Sequence, residues 1–555
     1  MIKISRDGKV LGDFDAKTVS SGLNSGKFLY TDFYWQDGST AWMPLSLYTP
    51  LVKSKKMTAK KSSIKPTKEQ EEICEVLPKK GEIMIINAYA GSGKTETLRL
   101  ISERNPNVKF TYLCYNKDTA EKAKKRFPEN VKCRTIHSLA YAAVGRNYKC
   151  DYRMPSSREV MQKFGITLPY VAVLALEAIE RYFNSSEDKI EAVHFEDERD
   201  PNKSVLFKYP QLIEISRSIW SEMSNPDNSF PISHDGYLKL WSLNSPHIPG
   251  DVILHDESQD MNPVTLKILT VQRDKTNPGL VIVGDSHQAI YGWRGAINSM
   301  ESLKLRAKYV RNLTTSFRFG QEIADNASKV LQNLKNDGVR VIGSGPTKGE
   351  IPNLAYIGRK NASLIGMAIN RMRKDPNLKF HFAGTRLESN WDPYYLYEFQ
   401  KPLDLLNIHN GRMDLVVLEQ MKKFNNFDEV AALIKGDDEG DGIDRELVWF
   451  MKNLVDPYGD ELPDLIKELR QKSVSSDEAD LSVSTAHRSK GLEWENVIML
   501  DDFIDLNEID PSMPLVRETI EEINAIYVAM TRAAKNIEYG ATLTDWINNS
   551  ELKIL

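Results

Sequence analysis

The residues best equipped for chemistry form two groups. The first is the run Ala88-Tyr89-Ala90-Gly91-Ser92-Gly93-Lys94-Thr95. Glycines let successive backbone N–H groups turn inward on a phosphate, a following helix adds its partial positive charge, and a lysine supplies a point charge. A threonine hydroxyl closing such a loop ligates Mg2+. Ala90, Gly91, Ser92, Gly93, Lys94 and Thr95 are therefore the expected phosphate cradle. The second group is Asp256-Glu257, which follows the apolar run Val252-Ile253-Leu254. Adjacent carboxylates there divide the work: Asp256 holds the metal, usually through water, and Glu257 orients and deprotonates an attacking water. Gln288 follows a third apolar stretch, 279–283, and is the expected polar sensor of the same site.

A framework of strands and helices must position these groups. Ile83-Met84-Ile85-Ile86 is a short apolar run of the kind a fully buried parallel strand shows, and 96–101 has helix-forming composition. Residues 109–114 read as another buried strand, 133–138 lead into another helix, and strands return at 251–255 and 279–283. Alternation of this kind argues for a parallel α/β sheet, with ligands at the carboxyl ends of its strands. Between 145 and 236 the alternation lapses into helical stretches, which reads as an inserted helical subdomain. Upstream, Pro66-Thr67-Lys68-Glu69-Gln70 opens an amphipathic helix. Gln70 is either an ordinary surface glutamine or an amide placed to read a donor and an acceptor on an adenine edge.

The remaining features set bounds. A chain of 555 residues is expected to hold roughly three or four domains. Charged residues at 27% and hydrophobic residues at 41% describe a globular protein, and a formal net charge of -4 means that nucleic-acid contacts must follow a local track. Cys74, Cys114, Cys133 and Cys150 are widely spaced, which argues against a zinc site and for a reducing compartment. With no signal-peptide pattern and no apolar run of membrane-spanning length, an intracellular, soluble, cytoplasmic protein is expected. Residues 1–51 read as a small β-rich module with an aromatic core, and the Lys/Ser-rich stretch 52–65 reads as a flexible tether. The module resembles GYF-type interaction modules through 25–29, 35–38 and 41–45, which implies a protein partner. Tyr291, Trp293 and Arg294, two aromatics and a cation close behind Gln288, suit single-stranded nucleic acid, because every base has a π-face to stack.

In this order the segments resemble the UvrD/Rep-like branch of superfamily 1 helicases from about Pro66 onward. The stretch 283–296 lies closer to the F-box helicase variant, with His287-Gln288, Ile290-Tyr291-Gly292 and an aromatic before Arg294-Gly295-Ala296. Leu313-Thr314-Thr315-Ser316-Phe317-Arg318 is similar to the fourth motif of that branch, 484–495 to its fifth, and 521–533 to its sixth. Ala88 and Ser258 depart from the usual pattern but remain small residues. The resemblance implies two RecA-like parallel-sheet domains with ATP and Mg2+ in the cleft between them. The first is formed by 66–144 and 237–310 around the 145–236 insertion, and the second by 311–387 and 476–555 around an accessory insertion at 388–475. It implies that Phe317 stacks on adenine, that Arg318 and the arginine finger Arg532 reach the γ-phosphate, and that Glu493 lies near the nucleotide. For DNA it implies Tyr115, Asn116, His137 and His487 beside Tyr291, Trp293 and Arg294, with single-stranded DNA and duplex junctions as substrates and 3′-to-5′ movement. A DNA-stimulated ATPase that strips proteins without unwinding, or a motor-switch adaptor recruited through residues 1–51, are the alternatives.

Overall fold

A computed structural model of the chain describes residues 2–6, 9–15, 18–19, 27–28, 32–36, 42–44, 65–114, 116–196, 205–244, 246–270, 277–292, 299–346, 353–384, 397–418, 420–435 and 442–553. The chain divides into two compact units, Met1–Lys65 and Pro66–Leu555.

In the first unit, strands β1 (Ile2–Arg6), β2 (Lys9–Phe14), β3 (Phe33–Gln36) and β4 (Met43–Pro44) form an antiparallel sheet in the order β2-β1-β3-β4. Ile2, Ile4, Val19, Phe28 and Tyr34 are its buried apolar residues. Asp32, also buried, is held by a two-pronged ion pair with Arg6, whose Nε and Nη2 each lie 2.7 Å from a carboxylate oxygen. Half of the GYF-like runs, and the tether apart from Lys65, lie outside the described residues.

The second unit is built on two parallel sheets. The first contains β5 (Ile83–Ala88), β6 (Phe110–Cys114), β7 (Val131–Thr135), β8 (Val252–His255), β9 (Gly279–Gly284) and β10 (Tyr309–Leu313), ordered β10-β5-β9-β8-β6-β7. β8 and β9 are buried along their whole length and β5 almost so, because helices cover both faces. The register Ile85↔Ile282 and Leu254↔Val281 brings the carboxyl ends of β5, β9 and β8 side by side. Those ends lead into the Lys94 loop, the Gln288 segment and the Asp256-Glu257 pair. β10, which crosses the change of domain expected at 310, pairs with β5 through its last residue, Leu313↔Ala88.

A two-stranded pair, β11 (Thr315–Ser316) and β12 (Ile342–Gly343), follows. The second large sheet has β13 (Leu354–Gly358), β14 (Phe380–Phe382), β15 (Leu481–Thr485), β16 (Trp494–Met499) and β17 (Ala533–Glu538), ordered β14-β15-β13-β16-β17 and parallel throughout. The helices Gln321–Leu334 and Arg517–Met530 share a core with Ala355, Ile357, Val497 and Met499 of this sheet. Its other core takes in Tyr356, Phe380, Phe382 and Val483 together with Leu405, Phe450 and Leu462 from the 388–475 region. Between 145 and 236 the regular elements among the described residues are helices, and Pro169–Asn184 and Leu212–Met223 supply most of a separate core around Ala172, Ile179 and Ile219. No single helix among the described residues is long and apolar enough to cross a membrane.

Candidate nucleotide and DNA site

The loop after β5 turns through two left-handed glycines, Gly91 (φ 72°) and Gly93 (φ 81°), and Gly93 caps the Lys94–Arg104 helix. L side chains avoid that region, and the first-turn N–H groups of a helix have no partner within it. The loop therefore presents unsatisfied donors at a positive helix end. The Ser92 hydroxyl is buried there with no hydrogen-bond partner among the described residues. This orphaned donor, beside Lys94 and the helix end, fits an anionic phosphate. A Cβ on Gly91 would lie 2.5 Å from Ser316 Oγ and 2.7 Å from Arg318 Cβ. Gly91→Ala is expected to weaken nucleotide binding at least about tenfold, because both the left-handed backbone and the close approach are lost; titration with a fluorescent nucleotide measures it.

Thr95 donates to Asp256 Oδ2 at 2.8 Å, and Tyr112 OH donates to the same oxygen at 2.7 Å. Asp256 Oδ1 accepts from the Glu257 N–H at 2.9 Å. A hydroxyl and a carboxylate in contact at the helix end are the donor set that Mg2+ takes in phosphate sites. Burial, reinforced by the neighbouring Glu257 charge, raises the Asp256 carboxyl above its usual range. A cation would reverse that. Glu257 differs: burial would raise it too, but the charges of Lys94 and Lys490, a hydrogen bond from Gln259 and the charge of Arg532 together lower it to about 2. It is ionised, and Gln259 Nε2 holds its Oε2 at 2.7 Å. Its backbone is left-handed at φ 51°, uncommon for a residue with a Cβ.

Gln288 Nε2 donates to Asp285 Oδ2 at 2.7 Å, and Arg532 Nη2 donates to Gln288 Oε1 at 3.3 Å. Arg532, 1% exposed, also donates from Nε to Val528 O at 2.9 Å and from Nη1 to Leu492 O at 3.3 Å. Burial and the adjacent Arg318 charge lower its guanidinium to about 9. Two arginines this close form a site that an anion relieves. Arg318 itself donates to Glu493 Oε2 at 2.9 Å and Thr531 O at 3.0 Å, so Glu493 pairs with that arginine here. Lys490 Nζ bonds both oxygens of Asp260, at 2.7 and 2.6 Å, and Gln288 O at 2.7 Å. Ala90 N–H donates to Tyr527 OH at 3.2 Å.

Gln70 and Phe317 flank Gly93: a Cβ there would lie 3.3 Å from Gln70 Nε2 and 3.8 Å from the Phe317 ring. The Gln70 amide is already engaged. Its Oε1 accepts from Thr67 N–H at 3.1 Å, closing a capping box on the Lys68–Cys74 helix, and Nε2 donates to Thr97 Oγ1 at 3.0 Å. Reading a base edge requires it to exchange one of these bonds.

Among the residues expected to contact DNA, the Tyr291 hydroxyl donates to His487 O at 3.2 Å and the two rings lie 6.3 Å apart, while Lys490 sits 5.0 Å from the Tyr291 ring centre. Burial and the Arg359 charge lower His487 to about 4, so its ring is neutral at pH 7. Asn116 caps the Lys117–Lys124 helix by accepting from Thr119 N–H at 2.8 Å, and His137 Nε2 lies 2.9 Å from Asp235 Oδ1. No hydrogen bond or ring contact among the described residues joins those two to the Tyr291–His487 pair. Tyr115, Trp293 and Arg294 lie outside the described residues.

Sequence reasoning assigns no role to Tyr112, Gln259, Asp260, Asp285 or Tyr527. The signal for Tyr112 was present, since a tyrosine inside a buried strand needs a partner for its hydroxyl. Asp260 and Tyr527 find partners in distant segments, Lys490 across 230 residues and Asp285 across 242, whereas Gln259 and Asp285 also bond Glu257 and Gln288 close by.

Residues 70–294 match the family described as an AAA domain, and residues 393–540 match the UvrD-like helicase C-terminal domain. Among curated relatives, the F-box DNA helicase 1 of Gallus gallus is 28% identical over 505 residues, covering 85% of this chain and 49% of the relative. The F-box DNA helicase protein 1 of Schizosaccharomyces pombe is 29% identical over 527 residues, covering 86% of this chain and 58% of the relative. DNA helicase II of Haemophilus influenzae is 38% identical over 84 residues, 15% of this chain and 11% of its own length. The chain thus spans about half the length of the F-box relatives.

Proposed function

We propose that this chain, which belongs to the UvrD-like family of superfamily 1 DNA helicases, is an ATP-driven motor that moves 3′-to-5′ on single-stranded DNA and separates duplex ahead of it. The observation that carries the reading is the Arg532–Gln288 hydrogen bond, which brings a guanidinium from the second-sheet half onto the sensor beside Asp285 in the first. A site completed from two halves is whole only when they are apposed, and this couples hydrolysis to relative movement.

In this reading Gly91, Ser92, Gly93 and Lys94 bind the phosphates, and Thr95 and Asp256 hold Mg2+. The metal, when bound, neutralises charge on the phosphate oxygens. Glu257 takes a proton from the attacking water, held in place by Gln259. Arg318 and Arg532 exchange Glu493 and backbone carbonyls for the γ-phosphate as its charge develops. Lys490 reports closure, because it bonds Asp260 and Gln288 while lying against Tyr291. A base stacked at Tyr291 therefore sits two contacts from the acidic cluster. The exposed Val10, Leu11, Phe33 and Trp42 support a protein-binding role for the N-terminal unit.

Duplexes with a 3′ tail, with a 5′ tail and with RNA in place of the tail provide the test. ATP-dependent strand separation on the 3′-tailed DNA alone is the expected result. Separation from the 5′ tail overturns the polarity. ATP turnover without separation on any duplex overturns the helicase reading in favour of translocation alone.

A further inference from the structure

The turn after the Gln321–Leu334 helix carries a carboxylate that none of the roles above uses. Asp337 Oδ2 accepts hydrogen bonds from Tyr89 OH and from His287 Nε2, each at 2.6 Å, while Oδ1 accepts from Val339 N–H at 3.1 Å. Burial would raise the Asp337 carboxyl, but the hydrogen bonds from His287 and Tyr89 hold it below its usual range, so it is ionised. An ionised carboxylate only accepts, so His287 carries its proton on Nε2. The other ring nitrogen, Nδ1, is buried without a partner among the described residues. The Asp337 bond is therefore the imidazole's one hydrogen bond among the described residues. The ring also stacks on Tyr89, 5.6 Å between centres at 28°, and meets Tyr527 edge-on at 5.8 Å.

The turn reaches the same segment a second time. Asn336 is left-handed at φ 50°, which sends Lys335 and Asp337, on either side of it, to nearby targets. Lys335 Nζ donates to Asn524 Oδ1 at 2.7 Å, and Asn524 Nδ2 donates to Ala289 O at 2.7 Å. One three-residue turn from the second-sheet half thus grips the phosphate loop at Tyr89 and the Gln288 segment directly at His287, and reaches Ala289 through Asn524. Two residues beyond Ala289 stands Tyr291. A cavity of about 330 Å³, lined in part by Asn87, Lys304 and Asn312, borders this clasp.

We propose that Asp337 is a positioning residue that couples strand occupancy at Tyr291 to the posture of the phosphate loop, through its shared hydrogen bonds to His287 and Tyr89. It is a two-ended contact: displacement of His287 changes what the same oxygen offers Tyr89, and the residue after Tyr89 is Ala90 of the cradle. This rests on the reading of the chain as a DNA-driven ATPase. Coupling of this kind is typically worth a factor of about 5 to 150.

The test compares ATP turnover with and without a single-stranded oligonucleotide in the unsubstituted chain and in three variants. Asp337→Ala and His287→Leu break the clasp, whereas His287→Gln keeps an amide donor toward Asp337. DNA-free turnover is expected to stay within about twofold in all three, while the stimulation by DNA falls about tenfold in Asp337→Ala and His287→Leu and is retained in His287→Gln. Unchanged stimulation in the first two overturns the proposal. So does a parallel fall in DNA-free and stimulated turnover, or a loss in His287→Gln equal to that in His287→Leu, since either marks a packing role. If Asp337→Ala fails to fold, the two histidine variants decide between these outcomes. Absence of stimulation in the unsubstituted chain refutes the parent reading itself and is thus distinguishable.

Discussion

Glu257→Gln is expected to reduce ATP turnover by about 10³-fold while leaving nucleotide affinity within about threefold, because general-base catalysis contributes about 10²- to 10⁴-fold and the side chain does not hold the phosphates. Glutamine is close in shape, and its amide oxygen can still accept from Gln259 Nε2. The left-handed backbone at φ 51° is unaffected by the change, so strain cannot account for a loss. What disappears is a carboxylate held ionised, against the opposing effect of burial, by Lys94, Lys490, Gln259 and Arg532. Steady-state phosphate release beside a fluorescent-nucleotide titration separates the two effects. Turnover within tenfold of the unsubstituted chain would remove Glu257 from the base role. An affinity loss matching the turnover loss would instead assign it to nucleotide binding.

Arg532→Lys is expected to lose about 10³-fold in single-turnover hydrolysis, with Arg532→Ala no more than about tenfold worse. An arginine supplied to a transferring phosphoryl group is worth about 10³- to 10⁵-fold, and a lysine at a forked site replaces its charge but not its geometry. The three nitrogens of Arg532 serve Val528 O, Leu492 O and Gln288 Oε1, a spread that a single ammonium cannot span. The low guanidinium value, about 9, arises from burial and from Arg318, and bound γ-phosphate would offset both. Because Arg532 is buried, each variant's thermal unfolding must be followed alongside hydrolysis. Retention of more than a tenth of the hydrolysis rate by Arg532→Lys would argue that the group is structural. Loss of the cooperative unfolding transition in Arg532→Ala would assign its deficit to folding and leave Arg532→Lys as the deciding variant.

The fold class was legible because its signals are local. A buried parallel strand writes itself as an unbroken apolar run, as in Ile83–Ala88 and Gly279–Gly284, and a strand, a glycine loop and a helix follow one another within about twenty residues. The same locality explains why Lys94 with Thr95, and Asp256 with Glu257, stood out as pairs. A second local signal sits beside them: the Gln70 amide oxygen accepts from the N–H of the threonine three residues earlier, closing a capping box whose sequence signature is present in Thr67-Lys68-Glu69-Gln70.

By itself, then, the sequence determined the parallel α/β architecture and singled out the run 88–95, the acidic pair and the family they resemble. Only the tertiary structure decided which charges share a hydrogen bond. Ala90 meets Tyr527 across 437 residues, Gln288 meets Arg532 across 244, and Asp337 joins Tyr89 to His287 across 248 and 50. Periodicity and spacing say which face of a strand or helix a residue occupies. They carry no information about which two faces from separate sheets are pressed together, and it is burial that shifts Asp256 and Arg532, while the charges gathered around Glu257 lower it against the effect of burial.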